Sequence, residues 1–109
     1  GRELMFCDEN AYPQVSLDMC GGNGPVFGLW DHTGVRYWVA LQSDGRPTVV
    51  LRNREQKAAA MLRVRPDGTG EMMLLDEAER PRIVLGQDDN KHWGISVRDA
   101  AGRATWSAP

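Results

Sequence analysis

Along this chain apolar side chains come in pairs two residues apart, and the pairs flank five short polar segments at regular intervals. The segments open at Asp8, Asp31, Asn53, Asp76 and Asp99, with spacings of 23, 22, 23 and 23 residues. Four and two residues before each opener stand Leu4 and Phe6, Phe27 and Leu29, Val49 and Leu51, Met72 and Leu74, Ile95 and Val97. Seven and nine residues after it stand Val15 and Leu17, Trp38 and Ala40, Ala60 and Leu62, Ile83 and Leu85, Trp106 and Ala108. A period of two belongs to a strand with one buried face, because successive side chains leave the pleat on opposite sides. An Asp or Asn side chain opens a turn by accepting hydrogen bonds from nearby backbone N–H groups, and Gly supplies positive φ at no steric cost. The pattern predicts five tandem two-strand repeats whose twenty paired apolar positions point into a common dry interior.

A second set of turns separates the repeats, at Asp44-Gly45, Asp67-Gly68 and Asp88-Asp89-Asn90, with Gly21-Gly22 in the equivalent place after the first. Pro25 and Pro47 follow two of these turns, at strand entries where a missing N–H costs least. The reading is therefore one all-β domain over residues 1–109 with about ten strands. The stretch Gln56 to Leu62 has high helix propensity, but its register with the other repeats predicts a strand. Two architectures satisfy the pattern. Sequential strands usually neighbour one another, which favours an antiparallel meander curled into a barrel or prism. The alternative is a two-faced β-solenoid with equivalent strands stacked in parallel.

The alternate positions form a second face, polar near the chain ends and apolar through the middle repeats. Trp30, Val39, Val50, Met61, Met73, Leu75 and Val84 fall on it, and Trp93 lies near a turn. Contiguous exposed apolar patches mark contact surfaces. These eight residues are the expected contact surface, covered either by the sheet folding over or by another copy in a homo-oligomer.

The unit apolar-x-apolar-x-Asp-x-x-Gly-x-x-Arg-x-x-Leu resembles a tandem repeat of uncharacterised bacterial and archaeal proteins. Two stretches match it best: Met72 through Asp76 to Arg82 and Leu85, and Val97 through Gly102 to Trp106-Ser107-Ala108-Pro109. The resemblance spans the chain and rests on turn and core residues, so it implies a fold rather than an activity. Such repeats often follow a secretory or membrane-anchoring N-terminus, which implies an extracellular or cell-surface location. Six residues after the opener the repeat carries Arg; here only Arg82 complies, and Gln14, Tyr37, Ala59 and Thr105 depart.

Composition changes this picture little. Hydrophobic residues make up 41% and charged residues 26% of 109, an ordinary balance for a globular domain. The net charge of −2 gives no electrostatic footprint for nucleic acid, and no apolar run is long enough to cross a membrane as a helix. The chain opens on Gly1 without a visible signal peptide, as a processed or trimmed chain would. Cys7 and Cys20 do not make a disulfide framework; they are read as free thiols, with a Cys7–Cys20 bridge as the alternative.

Catalytic signals are weak. His32 and His92 belong to no metal-spaced pair, and Cys7, Cys20, Ser16, Ser43, Ser96 and Ser107 have no motif that would supply a base. The run Cys20-Gly21-Gly22-Asn23-Gly24 lacks the Lys and Ser/Thr of a phosphate loop. Asp8, Asp31, Asp76, Asp99 and Asp88-Asp89 offer hard oxygens, but each turn holds one or two where calcium takes six to eight. The expectation is a non-enzymatic structural or interaction module, homo-oligomeric, without cofactor or metal. The alternative is a carbohydrate-binding module using Trp30 and Trp93, since Trp38 and Trp106 fall at core positions.

Overall fold

A computed structural model of the chain describes residues 3–21 and 24–109, without the side chains of residues 20 and 21. Among the described residues there are ten strands and no helix: β1 (Glu3–Cys7), β2 (Pro13–Gly21), β3 (Gly24–Asp31), β4 (Gly34–Leu41), β5 (Pro47–Arg52), β6 (Ala58–Val64), β7 (Gly70–Leu75), β8 (Pro81–Gln87), β9 (Trp93–Arg98) and β10 (Ala104–Ala108). They form one sheet in sequence order, β1 to β10, and every neighbouring pair is antiparallel. The meander is therefore the architecture, and the parallel solenoid is not formed. The segment with helix propensity is strand β6, held in register between β5 and β7.

The turns explain the periodicity. In seven of the eight turns among the described residues, one five-residue pattern recurs. The first residue's N–H donates to the fifth residue's C=O, and the fourth residue's N–H donates to the first residue's C=O. Asp8 to Tyr12, Gln42 to Arg46, Asn53 to Lys57, Arg65 to Thr69, Asp76 to Arg80, Asp88 to His92 and Asp99 to Arg103 all obey it. The fourth residue takes positive φ, as Gly45, Gly68 and Gly102 do easily and Ala11, Gln56, Glu79 and Lys91 do at φ near 65°. This is the three-residue hairpin loop with a left-handed fourth position. The turns between repeats thus share the geometry of the turns within them.

The exception lies in the second repeat. Asp31 pairs directly with Gly34, so only His32 and Thr33 form the loop. One residue fewer in this turn is why the spacing from Asp31 to Asn53 is 22. It also shifts β4 by one position, and a one-residue shift moves every side chain to the other face. Tyr37 and Val39, not Trp38 and Ala40, stand opposite Leu29 and Phe27 on one side and Leu51 and Val49 on the other.

The sheet does not close. Among the described residues β1 pairs only with β2 and β10 only with β9. Ten strands about 4.8 Å apart make a ribbon roughly 48 Å wide, and the longest extent of the molecule is 49 Å. The radius of gyration is 16.2 Å, above the roughly 13 Å of a compact chain this long. The barrel or prism expected from the sequence is replaced by an open, single-layered sheet.

Candidate interaction surface

Tracing directly opposed residues across the sheet separates its faces. The front face carries Leu4 and Phe6, Val15 and Leu17, Phe27 and Leu29, Tyr37 and Val39, and Val49 and Leu51. It continues through Ala60 and Leu62, Met72 and Leu74, Ile83 and Leu85, Ile95 and Val97, to Trp106 and Ala108. Eighteen of the twenty paired positions read from the sequence lie here, with Tyr37 and Val39 in place of Trp38 and Ala40. They form two unbroken rows across ten strands without a charged side chain.

This face is not the dry interior the sequence suggested. Leu62 is 47% exposed, Leu74 52% and Phe6 58%. With one layer of sheet, nothing in the described chain lies over them. An open apolar trough of about 380 Å³ runs along the middle of the face, between Tyr37, Val49, Leu62, Met72, Leu74 and Leu85.

The back face is the buried one. Its central row runs Met5, Ser16, Gly28, Trp38, Val50, Met61, Met73, Val84, Ser96 and Ser107. Val50 is 3% exposed, Met73 6% and Val84 8%. Among the described residues no second layer covers them, and longer side chains on the same face lie beside them. The Trp30 indole donates to Ser16 Oγ at 2.8 Å. The Arg52 guanidinium lies 5.5 Å from the centroid of the Trp38 ring, within cation–π range. Arg63 Nε pairs with Glu71 at 3.1 Å across β6 and β7, and Gln42 donates to Thr48 Oγ1.

The expected contact residues therefore divide. Val50, Met73 and Val84 are buried, Met61, Leu75 and Trp30 are half-buried, and none of these six is freely exposed. Val39 lies on the front face through the shift in β4. Trp93 is 55% exposed and in step with Ile95, also on the front. Trp30 in β3 and Trp93 in β9 are six strands apart on opposite faces, so they make no common platform. Trp38 lies on the back face instead of the front. It joins Trp30, Asp18, Gln42 and Arg52 around a cleft of about 320 Å³. Its indole N–H is buried without a hydrogen-bond partner.

Along both margins of the sheet, Asp and Arg tie neighbouring hairpins together. Asp76 Oδ1 accepts from the N–H groups of Ala78 and Arg80, and its Oδ2 accepts from Arg80 Nε at 3.0 Å. Arg82 reaches the same oxygen at 3.4 Å and donates through Nε to the Arg98 carbonyl at 2.7 Å. Arg36 does the same in the second repeat, contacting Asp31 Oδ2 at 2.6 Å and donating to the Arg52 carbonyl at 2.8 Å. The short turn brings Arg36, five residues after its opener, into the place Arg82 holds at six. On the opposite margin Arg46 and Arg65 donate to the Val64 and Gln87 carbonyls. Each guanidinium joins one hairpin to the next.

These contacts set the acidity of the turn carboxyls. Hydrogen bonds from Thr33, chiefly its side chain, hold Asp31 far below the usual carboxylate range. The Thr69 side chain lowers Asp67 and the Arg46 guanidinium lowers Asp44. Backbone N–H groups of Arg80, His92 and Arg103 lower Asp76, Asp88 and Asp99. No three His, Cys, Asp or Glu residues gather into a possible metal site among the described residues.

His32 and His92 sit in turns on opposite margins, in the β3–β4 and β8–β9 loops. Cys7 is a free, exposed thiol. The Cys20 side chain lies outside the described residues, as do parts of the Gly21-Gly22 turn and of the glycine-rich run through Asn23. No helix among the described residues is long and apolar enough to cross a membrane. Neither a family model nor a curated protein matches the chain.

Proposed function

We propose that the chain is a non-enzymatic structural module that assembles with copies of itself by burying its apolar front face. The observation that carries this reading is the pair of uncovered apolar rows spanning all ten strands. A sheet that is apolar on one face needs a second layer to bury it, and an exposed patch of this extent is exceptional for a lone soluble chain. Two rows about 7 Å apart on a ribbon roughly 48 Å wide present on the order of 650 Å² in plan. Two copies face to face would bury about 1,300 Å², within the range of stable protein interfaces. The absence of charge from both rows removes the main desolvation cost of such packing, and the regular strand spacing lets one row interdigitate with another. A second copy is therefore the occupant the geometry favours.

The test is a double variant, Leu62→Lys with Leu85→Lys, which places two charges inside the proposed contact at exposed positions. Wild type is expected to sediment at a multiple of 12.1 kDa, and the variant as a folded monomer with a strand-rich circular-dichroism spectrum. An unchanged mass in the variant refutes face-to-face assembly.

A second reading has one observation in its favour, the back-face cleft between Trp30 and Trp38 with Asp18, Gln42 and Arg52 at hand. Aromatic rings beside planar polar side chains suit a sugar. Titration with a panel of oligosaccharides, followed by tryptophan fluorescence, should give saturable quenching that Trp38→Ala abolishes. A flat response across the panel removes this reading.

A further inference from the structure

The four internal junctions between repeats follow one rule. The residue seven after an opener stands opposite the residue two before the next: Val15 opposite Leu29, Ala60 opposite Leu74, Ile83 opposite Val97. The shortened repeat gives Tyr37 opposite Leu51, the same rule less the deleted turn residue. Applied to the outer strands, the rule places Trp106 of one copy opposite Phe6 of another, followed by Ser107 opposite Met5 and Ala108 opposite Leu4. We propose that copies join head to tail by strand addition, β10 of one pairing antiparallel with β1 of the next in this register. This contact is distinct from the face-to-face contact proposed above and does not rest on it.

Three features support it. First, among the large hydrophobic residues described, Phe6 at 58% and Trp106 at 56% are the most exposed. The rule brings these two directly opposite each other, as a cross-strand aromatic pair of the kind that stabilises antiparallel ladders. Second, no lysine, proline or inward charge blocks either outer strand along the paired stretch; the bulge in each lies at Phe6/Cys7 and Ala104/Trp106, at the turn end of the strand. β1 reads Glu-Leu-Met-Phe-Cys and β10 reads Ala-Thr-Trp-Ser-Ala, with Glu3 the sole charge and at the strand's end. Third, the added pair continues both faces. Trp106, Phe6, Ala108 and Leu4 extend the two front rows without a break, and Ser107 and Met5 extend the central row of the back. The two edges differ, so the contact is heterologous and propagates into an open filament or a large ring.

The experiment is a disulfide trap. Met5→Cys and Ser107→Cys are introduced together into the Cys7→Ser, Cys20→Ser chain, because directly opposed strand residues lie close enough to bridge. Within one chain these residues lie on the first and last of ten strands, so only a contact between copies can join them. Mild oxidation is expected to yield a non-reducing gel ladder at multiples of the chain mass. Equimolar Met5→Cys and Ser107→Cys single variants should instead yield one covalent dimer containing both. Met5→Cys with Ala108→Cys, whose side chains the register puts on opposite faces, should cross-link at least tenfold less. No ladder and no mixed dimer from folded protein, or equal yields from the two registers, overturns the proposal. Both trapped residues are on the back face, so face-to-face packing cannot produce the bridge. The ladder should therefore persist when Leu62→Lys and Leu85→Lys are added, and its loss there would show that the edge contact does not stand alone.

Discussion

Asp76 shows how one side chain holds a turn and a margin together. Two backbone N–H groups and two guanidinium groups converge on its carboxylate, and the repeat places an Asp or Asn at every such opener. Six of the turn aspartates are held below the ordinary carboxylate value by these contacts. An unfolded chain titrates its aspartates near pH 3.9. A depressed native value therefore contributes stability above about pH 4, which is lost as pH falls through the native values. The melting temperature is expected to be level from pH 5 to 7 and to drop steeply below about pH 4. Replacing Asp76 and Asp99 by Asn should lower it by a few degrees at pH 7 and flatten the acid slope; equal slopes for wild type and variant would contradict the assignment. Glu79 holds positive φ in an exposed turn, a conformation that costs a non-glycine residue about 1 kcal/mol. Glu79→Gly should raise stability by roughly 0.5 kcal/mol in urea titration, part of the gain being offset by the freer unfolded chain. Openers and glycines were legible in the sequence because turn chemistry is local. The left-handed alanine, glutamine, glutamate and lysine were not, since those residue types carry no such signature.

At the scale of the hairpin, strands and turns could be read from the two-residue period, and the structure agrees even at β6, where pairing with β5 and β7 overrides helix propensity. The exception is β4: a constant loop length after Asp31 predicts Trp38 and Ala40 on the front face, and the one-residue deletion in that loop puts Tyr37 and Val39 there and Trp38 and Ala40 on the back. The 22-residue spacing was the available signal. The same deletion hid the equivalence of Arg36 and Arg82. Gly34 marks the short turn for a second reason: a Cβ there would come within 2.8 Å of the Gln56 side chain in the adjoining turn. At the other margin, a Cβ on Gly94 would collide with the Ala108 carbonyl oxygen in β10. Gly94→Ala is expected to detach β10 while leaving β2 to β8 paired. Hydrogen exchange should then show the β10 amides losing protection by at least tenfold against those of β5 and β6, and uniform protection in the variant would rule this out.

For the molecule as a whole, alternation identified two faces but could not rank them. Which face is covered depends on whether the sheet closes, and no local pattern encodes closure. Its uniformly apolar side chains make the front face the expected interior. The back face is the buried one in a single chain: Ser16 and Gly28 leave room for the Trp30 indole, and the Arg52 guanidinium lies over Trp38. The consequence is a reversal in mutational sensitivity. Val50→Asp places an unpaired charge at a site 3% exposed and should unfold the domain, because such burial costs several kcal/mol. Leu74→Asp, at 52% exposed, should leave the fold intact and impair assembly. Unfolding by Leu74→Asp as severe as that by Val50→Asp would contradict an uncovered front face. The measurement that bears most directly on the account is sedimentation equilibrium of the unmodified chain from low micromolar to millimolar concentration. A weight-average mass at two or more times 12.1 kDa, rising with concentration, is the predicted result. A single 12.1 kDa species with native strand content across that range would contradict it.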